Sequence, residues 1–198
     1  MSPHGRYWPD TGRCLVVDAA GAQKLESSSG VGELELRERL ERRTPKSVVG
    51  GQGGMLDVLY DDGEVFLCYS GRTSVGRSAT TLGKGRLNGS DLEDFERLFT
   101  ASNPGFGIHH FGCRIGIDPQ GYVFLSIGDR LNQDSAQDVS THLGTIVRLN
   151  RDGTVPEDNP FVGREGAMPE VYSLGHRNPQ GITIHPLTGA VWTNEHGP

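Results

Sequence analysis

The chain has 198 residues, 19 basic against 25 acidic, a formal net charge of -6, and 29 glycines, about twice average usage. This balance leaves no extended cationic face for phosphate backbones or anionic lipid, so neither nucleic acid nor membrane is an expected partner. High glycine beside an ordinary 22% of charged residues describes a turn-rich folded chain of one or at most two domains, not a disordered one.

In chain order, residues 1–12 (MSPHGRYWPDTG) lack the cationic start and apolar run of a secretory signal, and no stretch of about eighteen apolar residues follows. Taken alone, the chain reads as cytoplasmic. Next comes the first of four copies of one unit: an apolar strand, a polar turn, a glycine and a second apolar strand. The copies are PDTGRCLVVD (9–18), LDVLYDDGEVFLCYSG (56–71), CRIGIDPQGYVFLSIGD (113–129) and GITIHPLTGAVWTNEHG (181–197). Val65-Phe66-Leu67 and Val123-Phe124-Leu125 are rich in β-branched and aromatic residues, and Asp-Asp-Gly, Pro-Gln-Gly and Leu-Thr-Gly supply hairpin turns. Between the first two copies, residues 33–46 (ELELRERLERRTPK) are highly charged and predict a short solvated helix on a loop. Cys14, Cys68 and Cys113 are odd in number and share no metal-ligand spacing, and read as buried or free thiols.

Gly12, Gly63, Gly121 and Gly189 are spaced by 51, 58 and 68 residues, which leaves room for further strands such as GTIVRL (144–149) in each unit. Four strands per repeat of this length describe a propeller blade with decorated loops. The expected fold is all-β, a partial ring of about three to four blades forming a single domain over residues 1–198. An open arc exposes a strand edge and apolar wall, so self-association is expected.

Residues equidistant from an antiparallel turn lie opposite each other. Centring the third hairpin between Pro119 and Gln120 sets His110 opposite Asp129; centring the fourth between Leu187 and Thr188 sets Asn178 opposite Gly197 and Arg177 opposite Pro198. Gln52 precedes the second hairpin at the same end. These positions therefore share one rim, where His110 can serve as a base, Asp129 can fix its tautomer, Arg177 can stabilise an anionic oxygen, and Gly197 and Pro198 offer carbonyls of the kind that bind calcium. Each also has a plainer explanation: a structural histidine at His110, a turn carboxylate at Asp129, a loop anchor at Arg177-Asn178, glycine-rich turns around Gln52 and at Gly197-Pro198. Glu195 and His196 make a metal pair without a third ligand.

The segments GGQGGMLD (50–57), HFGCR (110–114), DNPF (158–161), SLGHRNPQG (173–181) and NEHGP (194–198) resemble, in order and spacing, the glucose/sorbosone dehydrogenase family, particularly its soluble aldose dehydrogenases that use pyrroloquinoline quinone (PQQ). The resemblance implies a six-bladed propeller with PQQ held over the channel mouth by calcium. It assigns His110 as catalytic base, Asp129 as its orienting carboxylate, Gln52 as a contact near substrate and cofactor, Arg177 and Asn178 as quinone contacts, and Gly197 and Pro198 as calcium ligands. It further implies oxidation of the anomeric carbon of an aldose to a lactone, an electron acceptor of unspecified kind, and a periplasmic or secreted location. Cys113 departs from the family pattern, which has glycine there. A non-enzymatic binding propeller and a calcium-dependent lactonase are the competing readings.

Overall fold

The computed structural model describes the backbone of three N-terminal strands, Gly5–Trp8 (β1), Arg13–Val17 (β2) and Gln23–Leu25 (β3), and residues 45–197 apart from 75, 89, 90 and 103. Gly12, Pro198, the Cys14 side chain and nearly all of the charged stretch 33–46 lie outside the described residues.

The ten remaining strands form successive antiparallel meanders. Met55–Asp61 (β4), Glu64–Ser74 (β5), Arg77–Asn88 (β6) and Asp91–Thr100 (β7) make one four-stranded sheet, and Gly112–Ile117 (β8), Val123–Ile127 (β9), Thr145–Leu149 (β10) and Val171–Leu174 (β11) make a second. Pro179–Ile184 (β12) and Val191–Glu195 (β13) pair as a third unit, and β1-β2-β3 form a fourth. Four sequential strands per sheet is the blade architecture that the repeat predicts. The second, third and fourth copies fall on the hairpins β4–β5, β8–β9 and β12–β13, and the first copy contains β2, which pairs with β1 just before that copy. The Asp62-Gly63 turn shows why the punctuation works, because φ values of 49° and 81° at its two central residues match the twist of the flanking strands.

The core lies between the two complete sheets, where Phe66, Leu82 and Phe99 of one meet Ile115, Leu125 and Val147 of the other. Burial of such side chains stabilises by about 1.5–3 kcal/mol each. Through this interface runs a disulfide between Cys68 on β5 and Cys113 on β8, with Cα atoms 5.6 Å apart. The expectation of thiols at these two positions is thus corrected, although both are fully buried as expected. The reason is tertiary: neighbouring sheets juxtapose two cysteines 45 residues apart, which no local spacing reveals. Cys113 holds a φ of 68°, a left-handed conformation that suits glycine and costs a residue with a side chain about 1–2 kcal/mol.

The first strands of the three units lie side by side, β8 packing against both β4 and β12. All three carry a β-bulge near the same end. The register shifts between Met55 and Asp57 on β4, between Gly112 and Ile115 on β8, and between Pro179 and Gly181 on β12, each time with the extra residue on the first strand. A bulge leaves backbone groups outside the ladder, and Arg114 collects them: its guanidinium donates to the carbonyls of Leu56 and Gln180, on the bulges of the two adjacent units. Asp57 adds a second stitch by accepting from the Ile115 N–H at 2.9 Å.

These bulges revise the hairpin arithmetic. Near the third turn Ile117 pairs with Val123, one residue away from the simple centring, and the bulge then restores the register so that Gly112 meets Ile127 and His110 reaches Asp129. In the fourth hairpin the centring is right near the turn, Ile184 pairing with Val191, and the bulge shifts it to Pro179 with Glu195. The proposed pairs of Asn178 with Gly197 and Arg177 with Pro198 are therefore off by one, and the Arg177 guanidinium instead donates to the Gly197 carbonyl at 3.1 Å.

Candidate active site

Past the bulged ends, the segments before β4, β8 and β12 and those after β9 and β13 meet on one rim. His110, two residues before β8, is 7% exposed and adopts φ 51°, again left-handed. Its backbone N–H donates to the Gln52 side-chain oxygen at 2.8 Å, and the Gln52 N–H donates to the Ile108 carbonyl at 2.8 Å. The next residue is fixed as well, the Thr80 hydroxyl donating to the Phe111 carbonyl at 2.7 Å.

The His110 ring stands with Nδ1 2.7 Å from Oδ1 of Asp129. Asp129 is 1% exposed, and the same oxygen accepts the Leu131 N–H at 2.8 Å. A carboxylate accepts only, so Nδ1 carries the proton of this bond, and the geometry selects the tautomer of the neutral ring whose lone pair is on Nε2. Gly128 is required by close approach: a Cβ there would lie 2.1 Å from the His110 carbonyl oxygen. The rest of the rim connects to this pair, since the Asp129 N–H donates to the Arg177 carbonyl at 2.8 Å and the buried Asn178 side chain accepts the Gly112 N–H at 3.1 Å.

Arg177 is differently placed. Its guanidinium donates to the His196 and Gly197 carbonyls at 3.4 and 3.1 Å, and no carboxylate among the described residues pairs with it. Its main chain is held by Glu195, one oxygen of which accepts the N–H groups of Arg177 at 2.7 Å and Asn178 at 3.3 Å. The other Glu195 oxygen lies 3.4 Å from Nδ1 of His176, whose Nε2 is 2.9 Å from the Ser173 hydroxyl.

Gln52, His110, Asp129, Arg177, Asn178 and Gly197 are thus brought together as the rim argument expected, while Pro198 lies outside the described residues. Glu195 serves as a backbone acceptor instead of half a metal pair, and no group of three histidine, cysteine, aspartate or glutamate side chains that could hold a metal occurs among the described residues. Sequence reasoning missed Arg114, Arg130, Thr80 and the backbone role of Glu195. The bulges that create the demand for Arg114 and Glu195 have no local sequence signature.

The family model described as Glucose / Sorbosone dehydrogenase matches residues 3–198. The chain is 39% identical over 155 residues to the aldose sugar dehydrogenase YliI of Escherichia coli, covering 75% of this chain and 42% of that protein. It is 32% identical over 108 residues to quinoprotein glucose dehydrogenase B of Acinetobacter calcoaceticus, covering 45% of this chain and 22% of that protein. Its fold superposes on the crystal structure of a glucose dehydrogenase with a TM-score of 0.84 at 34% identity, over 98% of this chain and 57% of that one. The chain spans about half the length of relatives that it matches over nearly all of its own length. Blade meanders and family model together place the chain in the glucose/sorbosone dehydrogenase family, with the fold of a partial β-propeller ring.

Proposed function

We propose that this chain carries the base-bearing part of the active site of an aldose dehydrogenase that uses PQQ and calcium to oxidise the anomeric carbon of a sugar to a lactone. The observation that carries the proposal is the His110–Asp129 pair, 2.7 Å apart and shielded from water, on the rim that also holds the Arg177 guanidinium, which has no carboxylate partner among the described residues.

In this reading His110 Nε2 accepts the proton of the anomeric hydroxyl, and Asp129 holds the ring in the required tautomer and stabilises the imidazolium that results. Gln52 fixes the His110 backbone and lies beside the substrate. Arg177 and Asn178 hold the quinone. The donor set fits these groups: a guanidinium that no carboxylate among the described residues neutralises suits an anionic planar polycarboxylate, and the Gly197 carbonyl, which accepts from Arg177 through one lone pair, is a hard oxygen donor with a second lone pair for calcium. When bound, PQQ supplies the hydride acceptor and calcium the Lewis acid.

The Cys68–Cys113 disulfide also favours the oxidising compartment that the family resemblance implies over a cytoplasmic location. No helix among the described residues is long and apolar enough to cross a membrane.

The test is His110→Asn in the chain loaded with PQQ and calcium. Turnover of an aldose should fall about a hundredfold or more, the usual worth of a positioned base. PQQ binding, followed by its absorbance, should persist. His109→Asn should matter far less, because Asp129 pairs with His110. Near wild-type turnover in His110→Asn would remove the base assignment.

A further inference from the structure

The His110–Asp129 pair leaves one neighbour unexplained. Arg130 follows Asp129 directly, adopts a left-handed φ of 54°, and turns its guanidinium back toward the segment before β8. Nε donates to the His109 carbonyl at 2.9 Å, one Nη donates to the Ser78 carbonyl at 3.0 Å, and the other donates to the Gly107 carbonyl. The group also stacks on the Phe111 ring, 3.8 Å from its centroid. No carboxylate among the described residues pairs with it, and burial lowers its pKa to about 10, so it remains charged at neutral pH.

A partly desolvated cation that is satisfied only by carbonyls and an aromatic face is an uncommon use of arginine, since burial of a charge costs free energy unless its geometry does something else. Here the geometry grips the residues on both sides of His110. His109 is bound through its carbonyl and Phe111 through its ring, while Ser78, at the start of β6, ties the grip to the neighbouring blade. His110 itself sits in a left-handed conformation that disfavours any residue with a side chain, so it needs such external restraint.

We propose that Arg130 is a positioning residue for the catalytic base: its fork clamps the 107–111 segment so that His110 keeps its left-handed backbone and presents Nδ1 to Asp129. The inference rests on His110 being that base. A lysine cannot replace the clamp fully, because a single ammonium lacks the planar fork that spans three carbonyls and stacks on a ring.

The experiment has a readout that needs no cofactor. In proton NMR of the chain, the His110 Nδ1 proton, short-bonded and buried, should resonate downfield and exchange slowly with water. In Arg130→Ala that proton should exchange at least tenfold faster, and kcat for sugar should fall about tenfold or more with little change in KM. Added guanidinium should restore part of both losses. Arg77→Ala is the control, because Arg77 stacks on Phe106 of the same loop but does not grip His110; it should change neither readout. Should Arg130→Ala fail to fold, Arg130→Lys carries the test, with an exchange rate between wild type and the tenfold increase. A Nδ1 proton unaltered in either folded variant overturns the clamp. A wild-type chain that shows the proton yet oxidises no sugar overturns the functional reading instead, so the two failures are distinguishable.

Discussion

The rim of β8–β9 and the rim of β12–β13 use one backbone device to opposite ends. Both first strands carry a bulge near the site, both have a basic side chain before the strand, and both have an acidic residue at or just past the end of the partner strand. In β8–β9 the acid meets the side chain: Asp129 holds the His110 ring, and both are buried. In β12–β13 the acid meets the backbone: Glu195 holds two N–H groups, and the half-buried Arg177 donates from its guanidinium to carbonyls, with no carboxylate partner among the described residues. A general base needs a fixed tautomer and a dry surrounding, whereas a guanidinium that is to meet an anionic ligand must not have its charge already neutralised. Which atoms the carboxylate reaches separates the two tasks.

The sharpest way to break this comparison is to disable each acid by the same change. Asp129→Asn removes the charge that stabilises the imidazolium and lets the ring adopt either tautomer. Turnover should fall on the order of a hundredfold to ten-thousandfold, with PQQ affinity nearly unchanged. Equal losses of affinity and turnover would mean that the two rims do not divide the work.

The disulfide distinguishes the rims next. Cys113 lies in the β8 bulge, so replacing Cys68 and Cys113 together with alanine should cost about 2–4 kcal/mol of stability and lower the melting temperature. The β8–β9 rim should lose order first, seen as faster exchange of the His110 Nδ1 proton than of amides in β12–β13. Uniform loss across both rims would show that the bulge does not depend on the crosslink.

Glu195→Gln should have a smaller and different effect. It keeps the size and one acceptor but weakens charge-assisted bonds to the Arg177 and Asn178 N–H groups, so PQQ affinity should drop about tenfold while kcat at saturating cofactor changes little. A reversed split, with kcat affected and affinity intact, would assign Glu195 to the base instead.

The smallest effect concerns Glu170, away from both rims. The His142 side chain, 3.3 Å away, holds the Glu170 carboxyl below its ordinary value of 4.5. A depressed carboxylate pKa contributes stability that is present above the unfolded value and lost as pH falls through the folded one. Glu170→Gln should therefore lower the neutral-pH melting temperature slightly and, because the difference from wild type vanishes as pH falls below about 4.5, flatten the acid limb of the stability curve. An acid limb identical to wild type would show that the pair contributes nothing to folding.

Much of the molecule was readable along the chain because a blade is a local object. Hairpin turns, alternation and strand length depend on neighbouring residues, so Asp62-Gly63, the run Val123-Phe124-Leu125 and the further strand at 144–149 identified β4–β5, β8–β9 and β10 directly. The rim was legible for the same reason, since antiparallel pairing turns distance from a turn into position along a blade. Tertiary structure alone decided the rest. The bulges moved the register by one in the fourth hairpin and rescued it in the third; packing of adjacent sheets joined Cys68 to Cys113; backbone groups on separate units required Arg114 and Arg130 to satisfy them, and those outside the β12–β13 ladder required Glu195. These are demands of backbone atoms brought together from distant positions, and a side chain that answers such a demand carries no mark of it in its own sequence neighbourhood.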